Sequence, residues 1–217
     1  MAIIKQGILG GFNGKVGTVI GSSWKGRSVI RAIAQHVHNP RTAAQQAARA
    51  RLSLVSRFVS GVQTFVNEGL RALADSEAIT AANVATRLNL AQAVTGSGTG
   101  VSLDYSRVIL SSGNLPGVDS PAVAAAASGH SVNISWTNNA GSDTGVVDND
   151  RMLFCLYNPA RQSSTYDLVS AVRADEAAVL SYPSAWAGDT LYLYVAVRSE
   201  DKSRISNSVM AGSVVAV

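Results

Sequence analysis

The sequence predicts an α+β protein: an N-terminal β-hairpin ribbon and a two-helix segment, followed by an antiparallel β-sandwich. Three observations predict it. The stretch "GILGGFNGKVGTVIGSSWKGRSVIRA", residues 7–32, sets seven glycines among β-branched residues. Leu52, Val55, Val59, Val62 and Val66 then recur at helical steps of three and four. From about Val118 onward, short alternating runs are separated by turn residues at the spacing of a sandwich.

In the ribbon, Asn13-Gly14 and Lys25-Gly26 read as tight turns in which glycine supplies positive φ. The runs Lys15–Ile20 and Arg27–Ile33 then pair as a two-stranded hairpin. Such a ribbon is only marginally stable alone, so it is expected to lie on another part of this chain or on another chain. Phe12, Val16, Val19, Trp24, Val29 and Ile33 are the residues expected to make that assembly contact.

Asn39-Pro40-Arg41-Thr42 opens a helix. Either Asn39 caps it with Pro40 at the first helical position, or Thr42 caps it with Gln45 completing the box. Arg49 and Arg57 fall away from the apolar stripe and are expected to be exposed. A second helical stretch runs from Ser76 to Val94, with Val84, Leu88 and Ala91 on one side and Gly96 as its stop. Two narrow stripes suggest an antiparallel helix pair.

Thr95–Gly100 has flexible-linker composition, Val101–Leu110 reads as a strand, and Ser111–Gly117 as a loop. The sandwich strands are expected at Ser131–Thr137, Arg151–Tyr157, Asp167–Arg173, Ala177–Tyr182, Thr190–Ser199 and Val209–Val217. The expected domains are therefore 1–95 (ribbon and helices), 96–117 (linker and connecting strand) and 118–217 (sandwich).

Composition narrows the function classes. At 47% hydrophobic and 15% charged residues, this is not a disordered chain. No run approaches the roughly 18 apolar residues of a membrane helix, and Gly7, Gly10 and Gly11 interrupt any leader-like segment. Synthesis in the cytoplasm without a signal peptide is the expectation, with a virion or an extracellular assembly as a final location. The single cysteine, Cys155, lies in an apolar run and excludes an internal disulfide. Charge is strongly segregated: residues 1–67 hold nine Lys or Arg and no acid, a net +9, and the remainder carries −5. This asymmetry suggests that the basic half faces something acidic: nucleic acid, an anionic surface, or the acidic half of a neighbouring copy. Lys15, Lys25, Arg27, Arg31, Arg41, Arg49 and Arg57 are the candidate contacts.

Catalytic and cofactor motifs are not found. Gly14-Lys15 resembles half of a phosphate loop, but the earlier glycine position is Leu9 and the residue after the lysine is Val16. There is no Gly-x-Gly-x-x-Gly fingerprint in the glycine-rich stretch and no Gly-x-Ser-x-Gly. His36 and His38 lack a third metal ligand nearby, and His130 belongs to an exposed turn. Asp143, Asp148, Asn149 and Asp150 lack calcium-loop spacing. Trp186 in "SAWAGDT" reads as a packed turn residue in preference to a sugar platform. No catalytic, metal or cofactor-binding residue is nominated.

Two resemblances add to this. "SVNISWT" and "LYLYVAVRSEDKSRISNSV" resemble a fibronectin type III domain, with Trp136 in the place of its strand-B tryptophan and Tyr192 or Tyr194 in the place of its late-strand tyrosine. That resemblance implies a seven-strand sandwich serving as spacer or adhesive module, and no chemistry. "GKVGTVIGSSWKGRSVIRA" followed by "NPRTAAQQAARARLSLVSRF", with the later "LPGVDSPAV", "YNPA" and "WAGDTLYLYVA", resembles an uncharacterised bacterial protein family associated with phage-like and surface assemblies. The expected function is a non-enzymatic structural subunit that self-associates through its ribbon, as a homo-oligomer or with other structural proteins. The alternative is a non-sequence-specific nucleic-acid-binding protein using the basic half.

Overall fold

The computed structural model of the chain describes residues 3–4, 10–24, 26–34, 39–127, 129–141 and 145–217, with Ile3, Ile4 and Trp24 described by backbone alone. By contact the chain divides into two units, Met1–Arg41 and Thr42–Val217. The sequence groups the helices with the ribbon; their contacts group them with the sandwich.

The first unit is an antiparallel sheet in the order β1 (Ile3–Ile4), β2 (Phe12–Val16), β3 (Val19–Trp24), β4 (Arg27–Ala32). This corrects the two-stranded hairpin. Asn13-Gly14 does not turn the chain but lies within β2, and the turn falls at Gly17-Thr18. Val16 opposes Val19 across it. Strand pairing on both sides of β2 outweighs the local turn preference of Asn-Gly.

In the second unit, α1 (Ala43–Gly61) starts at Thr42, whose side chain accepts from the Gln45 backbone N–H, one of the two expected caps. It continues into α2 (Gln63–Gly69) and α3 (Arg71–Glu77), and α4 (Ala81–Gln92) packs against all three. Val55, Val59, Val62 and Val66 are buried, joined by Phe58, Phe65 and Leu70. Leu52, expected on the stripe, is half exposed, and Ala91 is also exposed. The expected linker is instead a hairpin, β5 (Val94–Ser97) with β6 (Gly100–Leu103), so the helix ends before Gly96. The expected strand Val101–Leu110 stops at Leu103 and gives way to a short 3-10 turn at Tyr105–Arg107. Buried Asn89 holds the segment beyond: its side chain donates to Ile109 O at 2.8 Å and accepts from Ile109 N–H at 2.9 Å.

Seven strands complete the unit: β7 (Asp119–Ala125), β8 (Ser131–Thr137), β9 (Arg151–Asn158), β10 (Ser163–Asp167), β11 (Ala177–Ser181), β12 (Thr190–Arg198) and β13 (Val209–Val215). They form two antiparallel sheets, β11-β8-β7 and β10-β9-β12-β13. β7 was missing from the expected strands. The expected Asp167–Arg173 strand lies earlier, as β10, and residues 173–175 form a 3-10 turn.

Alternation explains why β9 and β12 are buried almost throughout. Met152, Phe154, Leu156, Leu191, Leu193 and Val195 share a core with Val132, Ile134, Trp136 and Leu180 of the three-stranded sheet. Leu153, Cys155, Tyr157, Tyr194 and Ala196 share a second core with the helices. The four-stranded sheet is thus the middle of three layers. Gly61 permits the helix layer to close on it, because a Cβ there would lie 2.5 Å from Gln162 O.

Burial in the helix-facing core raises the Cys155 thiol from its ordinary 9.0 to about 12. The native chain is therefore expected to resist a thiol-specific reagent at pH 8 and to react once unfolded in urea. Above pH 9 the unfolded chain loses a proton that the native one retains. Cys155 then contributes a loss of stability as pH rises from about 9 towards 12, which urea titrations across that range would read.

Candidate interaction surface

The ribbon is the candidate surface, and its register sorts its residues onto two faces. Residues directly opposite in neighbouring strands point the same way. Gly14 opposes Gly21, which opposes Ile30; Val16 opposes Val19, which opposes Ala32. With Phe12, Ser23 and Ser28 at the same phase, this face carries no charge. Lys15 opposes Ile20, which opposes Arg31, and Ser22 opposes Val29. Arg27 shares the phase of Arg31, so three cations gather on the second face around Ile20 and Val29.

The sheet leaves much of this apolar surface in solvent: Val16 is 54% exposed, Ile30 65% and Val29 40%. All six residues of β4 are exposed, and among the described residues β4 is an edge strand with no further strand beside it. The Phe12 ring lies over Gly21, where a Cβ would come within 2.2 Å of Phe12 O. Gly21 is buried, and a larger side chain could not share its place.

Of the expected assembly residues, Phe12, Val16 and Val19 fall on the uncharged face. Val29 falls among the cations, and Ile33 is half-buried just past β4, its N–H donating to Thr18 O at 2.8 Å. The Trp24 side chain lies outside the described residues. Ile30 was missed. It sits between Arg27 and Arg31 in sequence, and only the period-two pattern of β4 separates it from them.

The candidate cations fall in both units. Lys15, Arg27 and Arg31 meet on the ribbon, whereas Arg49 and Arg57 are exposed on α1 in the second unit. Arg41 ends the first unit at φ 47°. Arg41 and Arg49 are not free of partners. Lys25, His36 and His38 lie outside the described residues.

The remaining sequence candidates are structural. Trp136 is buried and its Nε1–H donates to Arg173 O at 2.8 Å. Tyr194 is fully buried and its hydroxyl donates to Tyr105 O at 2.9 Å. Trp186 is buried and stacks on Tyr182 with centroids 6.3 Å apart. Asp148 accepts from the Asn138 side chain and Asp150 pairs with Arg173. Among the described residues no three carboxylate, histidine or cysteine groups converge as a metal site, and no helix is long and apolar enough to cross a membrane.

Over residues 11–212 the chain matches a family of unknown function, DUF6266, and it belongs to that family. No curated protein and no solved structure matches it.

Proposed function

We propose that this chain is a non-enzymatic structural assembly subunit that self-associates through its N-terminal ribbon. One observation carries the reading: a small sheet with one uncharged, apolar face and a solvent-exposed edge strand. Exposed edges of this kind are templates for pairing with another chain. Arg27 and Arg31 limit how the edge is used, since charged residues on an edge discourage indiscriminate stacking. The second unit is, in this reading, a fibronectin type III-like module that projects from the assembly. Its seven strands in sheets of three and four, with Trp136 and Tyr194 buried, support that likeness. A place in a virion, a phage-like particle or a surface assembly rests on the resemblance of the ribbon and helix-start motifs.

The grouping of Lys15, Arg27 and Arg31 on one face favours a second reading, non-specific nucleic-acid binding. Light scattering on a sizing column, at low and high salt with absorbance at 260 and 280 nm, separates the two. Assembly predicts large species with a protein-like absorbance ratio that persist in high salt. Nucleic-acid binding predicts a small species whose 260 nm excess is stripped by salt, because phosphate contacts release counterions.

A further inference from the structure

We propose that the cleft between α1, the β5–β6 hairpin and the β9–β10 turn binds a small ligand with a flat apolar body and one anionic group. The site lies wholly in the second unit and is independent of the ribbon. Its cavity of about 310 Å³ is at the lower end of the range for small-molecule sites.

Phe58, Tyr105 and Tyr157 form one part of its wall, and their rings hold one another in place. Phe58 meets Tyr157 edge-on, with centroids 4.9 Å apart and planes at 78°. Tyr105 stacks on Tyr192 at 4.4 Å and lies 6.0 Å from Tyr157. Phe58 and Tyr157 are almost fully buried, so the half-buried Tyr105 is the lining ring with surface to offer a flat ligand.

Two polar groups at this wall keep hydrogen-bonding capacity for a ligand. Tyr157 is only 3% exposed, yet among the described residues no hydrogen bond engages its hydroxyl, which lines the cavity. That hydroxyl is not fully enclosed, so solvent reaches it and its hydrogen-bonding capacity stays open to a polar atom of a ligand. Arg57 is the single charged residue of the lining, and its Nη2 donates to Ser53 Oγ at 2.9 Å. No carboxylate among the described residues pairs with it, so the guanidinium keeps its capacity for an anion. A cationic ligand would meet Arg57 unfavourably, and a wholly apolar one would use neither group.

The test is calorimetric titration of the full chain with benzoate, and with phenol, acetate and maltose as comparators. Benzoate is expected to saturate with Kd near or below about 1 mM, as suits so small a ligand. Phenol, which lacks the anion, and acetate, which lacks the ring, should each bind about tenfold more weakly. Arg57→Gln should weaken benzoate about tenfold and leave phenol unchanged. Tyr157→Phe keeps the ring packing and should weaken benzoate about fivefold at an unchanged melting temperature. The proposal is overturned if benzoate does not saturate, if maltose binds more tightly than benzoate, or if Arg57→Gln binds benzoate as the wild type does.

Discussion

Arg173→Ala is expected to destabilise the second unit by about 3–5 kcal/mol, the cost of removing one partner from a buried ion pair. Arg173 and Asp150 are both fully buried, with Nη2 donating to Asp150 Oδ2 at 3.2 Å. The same guanidinium donates to Pro116 O at 3.0 Å, to Gly117 O at 2.9 Å and to Asn139 Oδ1. It therefore ties the chain entering β7, the end of β8 and the approach to β9 into one end of the sandwich. Alanine would strand the carboxylate: Oδ2 would keep only the Val147 N–H, and Oδ1 already has no protein partner. Since a domain of this kind has about 5–15 kcal/mol in total, the loss is a large fraction of its stability. Urea unfolding measures it. The double variant Arg173→Met with Asp150→Leu should recover most of the loss, because the apolar pair needs no desolvation of charge. A single variant within about 1 kcal/mol of wild type would show that the pair does not carry this end of the sandwich.

The second large effect is on assembly. Val16→Glu with Ile30→Glu places two carboxylates on the uncharged ribbon face, and each would oppose its counterpart or an apolar surface on a neighbouring copy. Unpaired or like charges in an interface cost several kcal/mol, so self-association should weaken by at least about a hundredfold. Both side chains are more than half exposed, so stability of the isolated chain should move by no more than about 0.5 kcal/mol. Analytical ultracentrifugation and urea unfolding of the same variant separate the two effects. Arg27→Gln with Arg31→Gln is the matched control: it changes the opposite face and should leave assembly intact while lowering any affinity for polyanions.

The β half was legible where local pattern and tertiary burial agree. "SVNISWT" alternates cleanly, and β8 spans the same residues, Ser131–Thr137. Thr42 and Gln45 form one of the caps the sequence offers, because a side-chain cap is decided within four residues. β7 was not legible: "DSPAVAA" is alanine-rich and contains Pro121, which a strand tolerates only in special places, and pairing with β8 carries it. The continuous apolar run of β9, "MLFCLY", placed Cys155 among apolar residues, but it does not say that the helices supply the second layer. Arg173 gives no sequence signal of burial, since its partners come from residues 116–150. In the ribbon, the glycines and β-branched residues announced strands, yet which residues share a face depended on where the turn fell. Moving it from Asn13-Gly14 to Gly17-Thr18 determined which side chains join Lys15 and which join Val16.

Sedimentation velocity of the full chain at low and high salt, over a concentration range of about 1 to about 100 µM, tests the assembly reading most directly. The account predicts that mass rises with concentration into defined oligomers or larger particles, and that high salt does not dissolve them. A single monomeric species at every concentration, with the ribbon folded, would contradict it.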